Sequence, residues 1–126
     1  MHIIEALGRI FLSTIFLIEG FRKLFFQEQT IEFMEAYGVP GILFIPSVIV
    51  EILFPLLIIV GYKTKLASLV MILFILTVTI IFHTDFSNEM QLIAFLKNIA
   101  IAGGFLIIAV NEPKICSIDY FLKSKR

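Results

Sequence analysis

Apolar residues in this chain run in long blocks instead of alternating with polar ones. Four blocks stand out, at residues 3–25, 41–61, 66–82 and 92–110. A helix rising about 1.5 Å per residue needs roughly 17–25 residues to cross a hydrocarbon core of about 30 Å. Each block meets that length, so the pattern predicts an all-α fold, a transmembrane four-helix bundle. Between the first two blocks, residues 27–37 mix Ile31, Phe33, Met34 and Tyr37 with Glu28, Glu32 and Glu35. That stretch is too short and too charged to cross, and predicts a short interfacial helix between helices 1 and 2. Gly38-Val39-Pro40-Gly41 reads as a turn, and Gly61-Tyr62-Lys63-Thr64-Lys65 as a tight basic loop. A short polar loop with Asp85 and Glu89 precedes the last block. A basic tail follows it, whose Ile115, Ile118, Tyr120, Phe121 and Leu122 can rest on a membrane surface. Residues 1–126 read as one membrane domain.

Composition sharpens this reading. Hydrophobic residues make up 60% of the 126 residues and charged ones 16%, with a mean hydropathy of +1.03. A soluble domain is far less apolar. The formal net charge is zero, and no basic face suggests a nucleic-acid partner. The amino-terminal block carries Glu5 where a signal peptide has a basic region, Arg9 inside the apolar run, and no small-residue cleavage site, so it reads as an uncleaved span. Lys63 and Lys65 share a side with Lys114, Lys123, Lys125 and Arg126, while the other side holds Arg22 and Lys23 among several acids. By the bias of basic residues toward the cytoplasm, both termini are expected there, in a multi-pass protein of the inner membrane.

The chemistry lies in the ionisable residues inside or at the rims of the blocks: Arg9, Glu19, Arg22, Lys23, Glu51, His83 and Lys97. A charge at mid-bilayer costs roughly 2.5–3.5 kcal/mol on insertion scales, so such groups pair with one another or line a polar site. Glu51 stands between Pro46 and Pro55, near the middle of its block, and Lys97 a turn and a half into the last one. With His83 at a rim, these three form the expected acid–base set. Arg9, Lys97 and Asn98 form the expected polar core, with the long Arg9 side chain extending toward Glu51. Glu5 and Arg9 are spaced to pair, and Glu19, Arg22 and Lys23 share a helix face, with Arg22 and Lys23 read as a solvated helix end. A second reading makes the same charges a device that fixes which helices meet. His2 and His83 lack further ligands at metal spacing, so no metal is expected. The single Cys116 has no CxxC partner and leaves no internal disulfide.

Several segments together resemble the DoxX family of membrane proteins. They are Leu7-Gly8-Arg9, Gly20-Phe21-Arg22-Lys23-Leu24, Tyr37-Gly38-Val39-Pro40, Glu51, Gly61-Tyr62-Lys63-Thr64-Lys65-Leu66-Ala67, His83, and the run from Phe95-Leu96-Lys97-Asn98 to Gly103-Gly104. The resemblance implies a four-helix bundle in the cytoplasmic membrane with a link to redox chemistry, since some relatives are subunits of thiosulfate:quinone oxidoreductases. Phe54-Pro55 stands where many members carry a pair of glycines.

Two functions are therefore expected to compete. In the first, the chain is a membrane subunit that handles quinone and protons for thiol or sulfur oxidation, with a redox partner protein or a second copy beside it. In the second, it is a non-enzymatic scaffold or assembly factor. A small carrier ranks last, because no inverted repeat is visible.

Overall fold

The computed structural model describes residues 2–111 and 117–124. Six α-helices follow in order: α1 (His2–Phe25), α2 (Gln27–Ala36), α3 (Phe44–Val60), α4 (Thr64–Phe82), α5 (Glu89–Val110) and α6 (Ile118–Ser124), with one turn of 3-10 helix at Gly41–Leu43 leading into α3. The described residues are helical apart from short connections. The segment expected to lie at the interface is α2. Tail residues Lys114, Ile115, Cys116, Lys125 and Arg126 fall outside the described residues.

Local chemistry sets the boundaries. Pro46 sits in the first turn of α3, where its missing N–H would have had no helical partner, whereas Pro55 lies inside the helix. Gly61 closes α3 with φ 77, a left-handed conformation that favours glycine. The Gly61 N–H donates to Ile58 O and the Tyr62 N–H to Leu57 O, which satisfies carbonyls otherwise left open at the helix end. Asn88 caps α5, its side chain accepting from the Met90 N–H at 2.9 Å.

The four long helices pack side by side, α1 on α3, α3 on α4 and α4 on α5, while α1 and α5 touch only sparsely. Phe16, Ile58, Ala67, Met71, Ile75, Ala102 and Phe105 form the central core. A second apolar cluster of Met34, Phe44 and Val48 fastens α2 across the start of α3 and the end of α4. The bundle thus has two ends, an α2 end and a hairpin end where α3 turns into α4.

Three helical stretches are long and apolar enough to cross a membrane: Gly41–Val60, Thr64–Phe82 and Glu89–Val110. α1 is as long, at 24 residues, but carries Glu5, Arg9, Glu19, Arg22 and Lys23. Its outward face is nevertheless apolar, with Ile3, Phe11, Ile18 and Phe25 all well exposed.

Candidate functional site

Arg9, Ser13, Phe16, Gly20 and Lys23 recur at spacings of three and four, which aligns them on one stripe of α1. That stripe faces the bundle: Arg9, Ser13, Phe16 and Gly20 are buried and Lys23 half-buried. Gly20 is the point of closest approach to α3. A Cβ there would stand 2.7 Å from Ile52 Cγ1 and 3.4 Å from Glu51 Cβ, so only a glycine lets the helices meet this tightly. One turn on, Lys23 Nζ donates to Glu51 Oε1 at 2.9 Å. The ammonium also lies 6.0 Å from the centroid of the Phe74 ring on α4, close enough for a weak cation–π attraction.

Glu51 is buried, with 6% of its surface exposed. Its second oxygen, Oε2, is buried and has no hydrogen-bond partner. A carboxylate normally engages both oxygens when removed from water, so this one keeps an open acceptor position. Pro55, four residues later, lacks the N–H that would bond the Glu51 carbonyl, which loosens the helix at that point.

The other expected residues surround this pair unevenly. Asn98 is buried on α5 and donates from Nδ2 to Thr79 Oγ1 at 2.9 Å, and Thr79 in turn donates to Ile75 O. That bridge joins α4 to α5. His83 follows α4 at the α2 end, with a buried Nδ1 that has no partner. Burial, and to a lesser degree the nearby Lys97 ammonium, holds its imidazole below the usual histidine range. Lys97 itself lies on the exposed side of α5. Among the described residues it makes no ion pair with Glu51; Lys23 takes that role.

Arg9 also departs from expectation. It is 1% exposed, but its guanidinium serves the hairpin end and does not extend to Glu51. Nε donates to Glu5 Oε1, and Nη1 to the carbonyls of Ile58 and Ile59, each at 2.9 Å. These are last-turn carbonyls of α3, where a cation also meets the negative end of the helix dipole. The start of α4 is secured in the opposite sense: the Asp119 carboxylate accepts from the N–H groups of Lys63 and Thr64 at 2.6 and 2.9 Å. The Asp119 N–H donates to Gly61 O at 2.7 Å. The α3–α4 turn is therefore clamped by α1 from one side and α6 from the other.

Glu5 pairs with Arg9 as its spacing predicts, and Glu19 meets Arg22 loosely at 3.9 Å. Lys23, read from the sequence as a solvated helix end, is the site residue that reading missed. The signal for it is the buried stripe at 9, 13, 16, 20 and 23, which passes through Lys23 and leaves Arg22 outside. No group of three or more His, Cys, Asp or Glu side chains converges among the described residues.

The DoxX family model matches residues 4–84, close to two thirds of the chain. The chain belongs to the DoxX family. Two Escherichia coli (strain K12) relatives support the assignment. Inner membrane protein YqjF is 33% identical over 118 residues, covering 94% of this chain and 91% of the relative. Inner membrane protein YphA is 30% identical over 124 residues, covering 93% and 89%. No solved structure matches the chain significantly. The DoxX match takes in Arg9, Lys23, Glu51 and His83 and stops short of Lys97 and Asn98.

Proposed function

We propose that this chain is an integral inner-membrane protein in which α1, α3, α4 and α5 all cross the bilayer and both termini are cytoplasmic. In this reading its outward face contacts lipid, and the Lys23–Glu51 pair handles protons for quinone-linked thiol or sulfur oxidation. The two relatives named as inner membrane proteins support the location. The apolar outward face of α1 supports a fourth crossing despite its charges, because those charges lie mainly on the bundle side or near its ends. Residues 1–126 form one membrane domain on this reading.

The observation that carries the proposal is Glu51: a buried carboxylate with one oxygen on Lys23 and the other open. Such a group takes a proton at Oε2 while Oε1 still accepts from Lys23, and the Lys23 ammonium stabilises the anion once the proton leaves. The residues present fit a quinone headgroup in chemical type, with one cationic donor, Lys23, and a protonatable acid, Glu51. A quinone, when bound, supplies a two-electron, two-proton acceptor. Glu51 is the proposed proton carrier, taking a proton at Oε2 and giving it up again toward the site of reduction. Lys23 is its counter-ion, and His83, whose burial disfavours the charged form, is the outward relay with Lys97 beside it. Asn98 orients α5 through Thr79, and Arg9 serves packing at the hairpin end.

The test is quinone content. Protein extracted in mild detergent is expected to carry near-stoichiometric quinone in wild type and background levels in Lys23→Met and Glu51→Gln. Background levels in the wild type as well would refute the quinone link. The scaffold reading also has a specific observation behind it: the pair lies beside the tight Gly20 contact, where it would lock α1 onto α3. If that is its whole role, replacing both charges with apolar residues leaves quinone content and sulfur-dependent respiration unchanged.

A further inference from the structure

The seam between α1 and α5 is the weakly packed side of the bundle. The helices meet where a Cβ on Gly104 would lie 3.1 Å from Leu12 Cδ2. From that contact, seven residues along each helix toward the α2 end amounts to about two turns, or roughly 10 Å, on the same stripe. On α1 this leads from Leu12 to Glu19, and on α5 from Gly104 to Lys97. The two helices run in opposite directions through the bundle, so Glu19 and Lys97 stand at one depth on the two edges of the seam. Both are exposed. Among the described residues they do not bond each other, the one ion pair of Glu19 is the loose 3.9 Å contact with exposed Arg22, and Lys97 has none.

We propose that this seam is a homodimer interface in which Lys97 of one copy pairs with Glu19 of the second, and the reverse. The inference rests on the membrane placement proposed above and not on the quinone link. A two-fold axis along the membrane normal sets α5 of one copy antiparallel to α1 of the other, which repeats the same pair twice and makes the surface self-complementary. An ammonium two turns inside α5 is a costly group to leave against lipid, and an opposite charge at equal depth removes that cost. Small residues allow the approach. A Cβ placed on Gly8 of α1 would have nothing within 4 Å, and Ala100 is exposed one turn from Lys97 on α5.

The experiment uses the full chain in native membranes, with Cys116→Ser to remove the natural thiol. Ala100→Cys and, on the far side of the bundle, the exposed Leu73→Cys are treated with a short bismaleimide. The expected result is a cross-linked dimer several-fold more abundant for Ala100→Cys than for Leu73→Cys. Adding Lys97→Glu abolishes it, and adding Glu19→Lys to that variant restores it. Equal cross-linking at both cysteines, none at Ala100→Cys, or indifference to Lys97→Glu each overturns the interface. Should the charge variants fail to insert, the comparison of the two cysteines decides alone. Resistance of the protein to carbonate extraction is scored on the same membranes, so that loss of the membrane placement itself registers separately.

Discussion

Replacing Lys23 by methionine keeps the length and apolar stem of the side chain and removes the ammonium from Glu51. What remains is a buried carboxylate, 6% exposed, with neither oxygen paired. Breaking a buried pair by deleting one partner costs roughly 3–5 kcal/mol, because the surviving charge loses its compensation. Lys23 keeps 23% of its side-chain surface exposed, so part of the pair is already screened and the lower end, about 3 kcal/mol, applies. At about 3–5 °C per kcal/mol for a chain of this size, the apparent melting temperature in mild detergent falls by roughly 10 °C. Glu51→Gln leaves a neutral side chain facing the ammonium and costs less. The double variant Lys23→Met with Glu51→Leu removes both charges and is expected to recover most of the loss, since an apolar pair of similar volume is often as stable as a buried ion pair. Thermal aggregation of the purified variants, read by the protein left in solution, measures all three. A Lys23→Met protein melting within about 2 °C of wild type would refute the pairing as a stabilising contact. A double variant no more stable than Lys23→Met would refute the claim that the cost is an unpaired charge.

Other outcomes follow from the ends of the bundle. Asp119→Ala removes the cap that α6 supplies to α4 and is expected to cost about 1 kcal/mol, with Asp119→Asn costing less because its carbonyl still accepts from backbone N–H groups; melting temperatures of the two variants compare them directly. Gly61→Ala is expected to be more damaging. It forces a left-handed backbone on alanine and drives a methyl into Ser117, with Ser117 Cα at 2.7 Å and Arg9 Nη1 at 2.9 Å from its position, so the yield of folded protein should fall. His83 is expected to titrate below the usual 6.5 in a ring-labelled NMR measurement, and Lys97→Met to recover the smaller part of the shift. Because the folded state holds this proton less tightly than the unfolded one, His83 lowers stability as the pH falls from about 6.5 through its folded value, and is neutral in effect above that window. Reporter fusions after residue 126 should be active only in forms that work in the cytoplasm, given the basic residues on that side.

The helices were legible because their signal is long and repeated. Blocks of apolar residues place α3, α4 and α5 within a few residues of their ends, and Gly61 marks the turn between α3 and α4 through its backbone freedom. Glu51 was legible because an acid in the middle of an apolar block has few bland explanations. Its partner was not, because an ion pair depends on which helix packs next and in what rotation, and block composition carries no such information. Lys97 looked buried by depth along α5, but depth says nothing about direction, and its stripe turns out toward the open seam. Arg9 looked able to reach Glu51 by length alone, yet unsatisfied carbonyls at the end of α3 bind it at closer range. Those carbonyls are invisible in a one-residue-at-a-time reading, because they become acceptors only once the helix stops at Gly61. What recovers the missing partner is the period of a single helix: the spacing of Arg9, Ser13, Phe16 and Gly20 assigns the buried face of α1, and Lys23 is the next position on it. The same rule puts Glu19 off that face and beside α5. One rotation of α1 therefore decides both which cation neutralises Glu51 and which anion is left at the seam.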